Sequence, residues 1–401
     1  MRIAWVSPMP PQRTGIADYS AALLPYLSAD LGHVEVYTPE PSRGWDGVAS
    51  GYSLSALPDR WRTYELCLYH LGNNQLFHSD IYSLALTYPG VTVLHDFFLH
   101  HLVAGMTIGR GHFAAYLREM AYAEGADGVE QAYRAELDWA QMPLFNEPLV
   151  ARLLDVSLGV VVHSRYALEL ARRRRPDLHI AYVPAPLGPE QPDALSRAEL
   201  GLPEEAFIVT IAGMPNASKH TDTVLRAVSM LSDGFPHLHC ALVGEVLEDA
   251  DLGAWPGIRD RFLEIGYQPS LSRFLAYLQA SDLIVNLRYP SVGEASALTL
   301  RAMGLGKPVI VSNVGWYADL PTDSCAKFAH SVDVEADAEA LAGLIAVLIQ
   351  QPDTARLIGD RGRSYVRREH ALAGVASAYS DVLNSWKDEL YGRHSLAADR
   401  G

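Results

Sequence analysis

Cysteine is scarce in this chain: three in 401 residues, at Cys67, Cys240 and Cys325. They lie far apart, with no spacing that suits a metal or a disulfide framework. The first two fall inside apolar runs, where cysteine usually serves as a small core residue. Positive charge is also in short supply, with 32 Lys and Arg against 47 Asp and Glu and a formal net charge of −15. A sequence-independent hold on nucleic acid needs clustered Lys and Arg to displace counterions, so no nucleic-acid partner is expected. No run approaches the ~18 apolar residues of a membrane span, and the chain enters a strand at Arg2 to Val6 with no charged and apolar leader. A cytoplasmic location is expected.

What is present is the composition of a soluble α/β protein, 49% hydrophobic and 20% charged. Strand-like runs at 2–6, 34–37, 66–70, 91–94, 159–162 and 180–183 alternate with helix-like segments at about 17–28, 76–86, 111–139 and 164–174. That rhythm implies a parallel sheet with right-handed crossovers. A proline-rich passage with Pro184, Pro186, Pro189, Pro192 and Pro203 then reads as an interdomain linker. The pattern restarts with strands at 207–212, 238–243, 261–265, 283–287, 308–311 and 326–329. The expected domains are 1–190 and 191–370, and a last helix at 371–391 carries the amphipathic set Val375, Tyr379, Val382 and Trp386.

The most informative stretch is 286–316. An apolar strand ends at Leu287, Arg288 to Ala295 is turn-rich, and Ser296 can cap a helix reaching Leu305 before the next strand begins. Ligands of open parallel sheets sit outside the carboxyl ends of strands, which puts Arg288, Gly293 and Glu294 at a candidate site. Free amides of Ala297, Leu298 and Thr299 at the helix start favour an anion such as a diphosphate. Glu294 suits hydroxyl groups instead, and hydroxyls beside a diphosphate describe a nucleotide sugar; its plainer reading is a loop carboxylate bonding its own backbone.

Gly-Glu-x-Ser at 293–296, followed by Arg-Ala-Met-Gly-Leu-Gly-Lys-Pro-Val-Ile-Val-Ser and Val-Gly-Trp-Tyr-Ala-Asp-Leu-Pro, resembles the donor-site signature of retaining glycosyltransferases of family four. The resemblance extends to Ser-Pro-Met-Pro-Pro-Gln-Arg-Thr-Gly-Ile-Ala-Asp-Tyr-Ser at 7–20, Leu-His-Asp at 94–96, His-Ser at 163–164 and Lys219. It implies the GT-B fold, two facing Rossmann-like domains with parallel sheets, with the last helix crossing back to the N-terminal, acceptor-side domain. It also implies a UDP- or GDP-sugar donor held by the second domain, a carbohydrate or lipid-linked acceptor, and no cofactor or metal.

Within that frame Lys219, after Gly213 and at a helix start, can neutralise the leaving-group charge that grows in the transition state; otherwise it is a solvated lysine. His95 ends the run 91–94, and the resemblance implies contact with the donor sugar, while a structural histidine is the plainer reading. Asp96 orients His95 or caps the next helix, and His70 and Asn73 either line the acceptor side or are structural. Gly15, in the loop after the first strand, lets backbone approach a ligand closely, or simply makes a tight turn. Asp18 and Tyr19 are not taken as catalytic, His100 and His101 read as ordinary helix residues, and Ser164 as an N-cap rather than a nucleophile.

Two departures from the family pattern stand out. Met214 occupies the position after the glycine where relatives commonly carry arginine. Aligning Ala302-Met303 puts Arg301 and Gly293 where a pair of glutamates is usual, leaving Glu294 as the displaced carboxylate. Arg301 is then an exposed helix residue or an extra charge for a diphosphate or between domains. The leading expectation is a retaining transferase working by front-face transfer, with Lys219, Glu294 and His95 at its centre. A catalytically silent GT-B glycan- or partner-binding protein, and a related phosphorylase or epimerase, are the alternatives. The run Arg172–Arg175 is either a solvated face or a weak peripheral membrane contact.

Overall fold

The computed structural model describes residues 1–41, 45, 50–188, 190–213, 216–244 and 256–398. It divides into unit 1, Met1–Pro186 with Val292–Ala295 and Ala371–Gly401, and unit 2, Leu187–Ser291 with Ser296–His370.

Unit 1 is built on seven strands, β1 (Arg2–Val6), β2 (His33–Thr38), β3 (Ser50–Ser53), β4 (Leu66–Leu71), β5 (Val91–Leu94), β6 (Gly159–Val162) and β7 (Ile180–Tyr182). They lie in the order β3-β2-β1-β4-β5-β6-β7, every pairing parallel. Both faces are covered, so the strands read as unbroken apolar runs whose period-2 alternation sorts side chains between two cores. Ile3, Trp5, Val34, Val36, Leu68, Val93 and Val161 join one core; Ala4, Val6, Tyr37, Tyr69, Leu94 and Val162 join the other. The first core is closed by the helix Gly15–Leu31 through Leu23, Leu24 and Leu27, and by the helix Leu372–Ala398 through Val375, Tyr379, Leu383 and Trp386, with Val382 partly buried beside them.

Unit 2 repeats the plan with β8 (Phe207–Ala212), β9 (Leu238–Val243), β10 (Phe262–Glu264), β11 (Leu283–Asn286), β12 (Val309–Ser312) and β13 (Ala326–Phe328), in the parallel order β10-β9-β8-β11-β12-β13. The helices Thr221–Leu231 and Val334–Gln350 contribute Val224, Leu225, Val228, Leu341 and Ile345 to its core. In each sheet the strand order reverses once, between β1 and β4 and between β8 and β11. Loops leaving the carboxyl ends of strands diverge at such a point and open a crevice.

Three features differ from the sequence reading. The helix expected over 111–139 runs Phe113–Leu137 and is broken at Gly125, whose φ of 62° leaves the helical region. β3 was not anticipated; it is a short strand at the sheet edge, paired along its backbone to β2 and with Tyr52 stacked on Tyr37 of that strand. Residues 292–295 join unit 1 although the residues on either side belong to unit 2. The reason is main-chain bonding: the amides of Phe97 and Phe98 both donate to the Val292 carbonyl, at 2.9 and 3.0 Å. The three cysteines are free and buried, and burial pushes the thiols of Cys67 and Cys325 up to about 12 and about 11.

Trp386 lies against Gly159 so closely that a Cβ on Gly159 would come within 2.7 Å of the indole. Trp386→Ala should therefore remove about 3–5 kcal/mol from the stability of unit 1, as expected for deleting a large buried aromatic. Gly159→Ala should destabilise it by overpacking. Urea denaturation followed by intrinsic fluorescence checks both.

Candidate functional site

Unit 2 assembles its site at the β8/β11 reversal. β8 ends at Ala212, and Gly213 follows with φ 84°, a left-handed turn that glycine adopts without strain. A Cβ there would stand 2.9 Å from the Lys219 ammonium, so glycine also makes room for the lysine. Lys219 closes a short 3-10 turn, Ala217–Lys219, just before the helix Thr221–Leu231, and its Nζ donates to the Ala212 carbonyl at 3.1 Å. Among the described residues no carboxylate pairs with it. Met214, the departure beside this turn, lies outside the described residues.

From β11 comes Arg288, whose guanidinium donates to the Ser218 hydroxyl at 2.8 Å and reaches Asn216 Oδ1 at 3.4 Å. The two loops are further stitched by Tyr289 N to the Ser218 carbonyl (2.8 Å) and by His220 Nε2 to the Tyr289 carbonyl (2.8 Å). Burial, and then the charge of Arg288, push the Lys219 ammonium down to about 8. A half-buried cation held near another cation, with no carboxylate on it among the described residues, is arranged to receive an anion.

The helix Ala297–Gly304 starts beside it. Ser296 caps it, its hydroxyl accepting from the Thr299 amide at 3.2 Å, and buried Asn286 steadies the cap through bonds to the Ser296 and Thr299 hydroxyls. This corrects the reading of three free amides: Thr299 is buried and its N–H is spent on the cap. Ala297 and Leu298 remain as amides that no helical carbonyl can accept. Arg301 is not an exposed helix residue either. It makes a bidentate pair with Glu190 at 2.7 and 2.9 Å and is 15% exposed, so its charge is already matched.

Unit 1 gathers the other candidates. Thr14 caps the helix Gly15–Leu31 after β1, and a Cβ on Gly15 would meet nothing within 4 Å, so the space over this turn is open. His95, after β5, bonds through Nε2 to Nδ1 of His70 at 3.1 Å, and both rings are held neutral by burial, then by neighbouring imidazoles. Tyr19 stands edge-on to His95 (4.6 Å between ring centres) and 5.3 Å from His163, and its hydroxyl bonds that of Tyr379 at 2.5 Å. Sequence reasoning passed over Tyr19; only the packing of the helix Gly15–Leu31 on the sheet brings it to three strand ends. The Asp96 carboxylate accepts from the Asn73 amide at 2.7 Å, fixing the turn after β4, and the next helix, His100–Met106, has no side-chain cap. Asn73 in turn bonds His101 and the Leu102 amide, and His100 is buried against Tyr116 and the Glu147 carbonyl.

Gly293 and Glu294 belong with this second group. Gly293 (φ 80°) packs so tightly that a Cβ would be 2.9 Å from that of Phe97, and Glu294 Oε2 accepts from the Val292 amide at 2.9 Å. Ser164 caps the helix Arg165–Arg174 through the Ala167 amide. The candidates thus form two sets: Gly213, Lys219, Arg288, Ser296, Ala297 and Leu298 in unit 2, and Gly15, His95, Gly293 and Glu294 in unit 1.

Residues 193–365 match the family model for glycosyl transferases group 1. The chain is 26% identical over 256 residues to a D-inositol 3-phosphate glycosyltransferase of Streptomyces coelicolor, covering 60% of this chain and 54% of that protein. The chain spans about half the length of the curated relatives it matches. Among solved structures, Anabaena HepE in complex with UDP and glucose superposes with a TM-score of 0.64 at 14% identity over 96% of this chain and 100% of that one. Sucrose-phosphate synthase of Thermosynechococcus elongatus does so with a TM-score of 0.65 at 19% identity, over 99% and 100%. At such identities the likeness shows the fold, which is GT-B: two Rossmann-like domains, each on a parallel sheet. The matched segment carries Lys219 and Arg288.

Because the Lys219 ammonium sits near 8 rather than in the usual lysine range, its charge is present below that pH and lost as pH rises through it. Affinity for inorganic pyrophosphate should therefore fall between pH 7 and pH 9 in titration calorimetry. In Lys219→Arg, which stays charged, the profile should be flat over the same range.

Proposed function

We propose that the chain is a retaining glycosyltransferase that moves a sugar from a UDP- or GDP-sugar to a hydroxyl of a glycan, lipid-linked or small-molecule acceptor. The observation that carries this reading is the pair of cations, Lys219 and Arg288, at the β8/β11 reversal, with no carboxylate on Lys219 among the described residues. A diphosphate needs positive charge where its bond to the sugar breaks, and this is where ligands of such sheets bind. The group 1 family match and HepE, solved with UDP and glucose, support the same donor chemistry.

In the proposed reaction the bond between the anomeric carbon and the phosphate oxygen breaks while the acceptor oxygen bonds to that carbon from the same face. The acceptor's proton passes to the departing phosphate oxygen, so no protein nucleophile is called for. Lys219, Arg288 and the amides of Ala297 and Leu298 hold the charge left on the nucleoside diphosphate, and no resident metal or cofactor is part of the reading. His95 and Glu294 are assigned to the sugar hydroxyls: a neutral imidazole and a carboxylate recognise hydroxyls without cancelling the cations that hold the phosphate. Gly15 offers its backbone in the open turn after β1.

The acceptor is left at the level of a hydroxyl compound. No helix among the described residues is long and apolar enough to cross a membrane. In the basic run, Arg173, Arg174 and Arg175 each pair with a carboxylate of unit 1, so it makes no argument for an anionic lipid surface. A cytoplasmic location is part of the proposal.

The test is nucleotide release from a panel of UDP- and GDP-sugars with glycan and polyol acceptors. Lys219→Ala should lower kcat by about 10²–10³-fold, the scale of losing one preorganised charge-stabilising group. Glu294→Gln should act chiefly on selection among donor sugars. Silence with every donor, together with glycan binding, would instead identify a non-catalytic binding protein.

A further inference from the structure

Arg288 is held by a chain of four groups that the donor reading does not use. Its main-chain amide donates to the Ser312 hydroxyl at 2.7 Å, the Ser312 oxygen lies 2.7 Å from His330 Nε2, and His330 Nδ1 lies 3.1 Å from Asp337 Oδ2. The other carboxylate oxygen accepts from the Ser331 amide at 2.7 Å. Ser312 ends β12, His330 follows β13, and Asp337 is in the first turn of the helix Val334–Gln350, so three consecutive elements of the sheet contribute one member each. All are buried, the Ser312 residue fully and the His330 side chain to 1% exposure.

Every proton in this chain has one allowed place. An amide can only donate, so Ser312 Oγ accepts from Arg288. Burial works to raise the Asp337 carboxyl, yet the bonds from Ser331 and His330 hold it below the usual carboxylate value, so it is ionised and only accepts. His330 must then carry its proton on Nδ1. Burial holds the ring neutral, which leaves Nε2 as an acceptor for the Ser312 hydroxyl proton. The order is Asp337 to His330 to Ser312 to Arg288, each bond oriented by the one before.

The residue types are those of a hydrolytic triad, but the arrangement does not serve as one. Ser312 is inaccessible and one lone pair is taken by Arg288, whereas a nucleophilic serine must present its oxygen to a substrate. The His330 ring also stacks on Tyr289 at 4.8 Å and 16°, the residue after Arg288, and lies 4.8 Å from His220, the residue after Lys219. Both cation-bearing loops therefore rest on the same imidazole.

We infer that Ser312, His330 and Asp337 are positioning residues that set the main chain of Arg288, and with it the distance between the two donor-site cations. The inference rests on the donor reading of Arg288 and adds the groups that hold it.

Asp337→Asn tests the direction of the relay. The Ser331 amide pins the remaining carbonyl oxygen, so the new amide group faces His330 Nδ1 and donates to it. The imidazole proton must move to Nε2, and the Ser312 hydroxyl loses its acceptor. The ¹⁵N shifts of the His330 ring should report a proton on Nδ1 in the natural protein and on Nε2 in this variant. UDP or GDP affinity, measured by calorimetry, should fall about tenfold in Asp337→Asn and in Ser312→Ala, the weight of roughly one hydrogen bond. A merely structural role would weaken binding in any background, whereas positioning through Arg288 should show no further loss when either change is made in Arg288→Ala. If Asp337→Asn fails to fold, Ser312→Ala and its combination with Arg288→Ala decide alone. An Nε2 proton in the natural protein, or losses that simply add, overturns the relay. If Arg288→Ala weakens nucleotide binding and the other two do not, the relay falls while the donor reading stands. If neither nucleotide nor pyrophosphate binds the natural protein, both fall.

Discussion

A lysine ammonium left without a carboxylate among the described residues is the constraint from which the arrangement of unit 2 follows. Taking Lys219 half out of water and setting it near Arg288 depresses its proton affinity, an expense the folded chain bears without an ion pair to offset it. Such a group persists where the surroundings over-determine it. Here the Ala212 carbonyl holds the ammonium, Gly213 turns away beneath it, and the Ser218 to Arg288 contacts lock the neighbouring loop. The same desolvation that weakens the free cation strengthens its attraction for any arriving anion, since charge interactions grow as water is excluded.

Around that point the protein spends its other charges locally. Arg301 is matched by Glu190, and three arginines of the run 173–175 are matched by acids of unit 1. Charge that is neutralised inside the fold cannot compete for a ligand, and Lys219 has no carboxylate on it among the described residues. Unit 1 follows the opposite policy. Its strand ends carry His70 and His95, held neutral by burial, and Tyr19 reaches them from the helix Gly15–Leu31.

Much of this was legible in the residues because hydrophobic runs end where strands end. The runs at 91–94, 207–212 and 283–287 placed His95, Lys219 and Arg288 at carboxyl ends before any topology was known. The Ser296 cap was readable from a serine just ahead of the periodic segment, and the structure gives its hydroxyl the Thr299 amide. The break at Gly125 was not readable, because a lone glycine inside a helical pattern is usually tolerated. Nor was the partner of Asp96, since the Asn73 amide is 23 residues away and is chosen by which strand lies beside β5.

By itself, then, the chain's pattern of apolar runs and turn residues determined two parallel α/β sheets and the loops that carry the candidate chemistry. Both are local properties: period, capping and turn chemistry act over a few residues. Only the tertiary structure decided that Ser312, His330 and Asp337 line up beneath Arg288, that Arg301 is spent on Glu190, and that Gly293 and Glu294 pack with unit 1 through Phe97 and Phe98. Those outcomes depend on the order in which strands assemble, and that order is set by packing between residues far apart in the chain, which no local window contains.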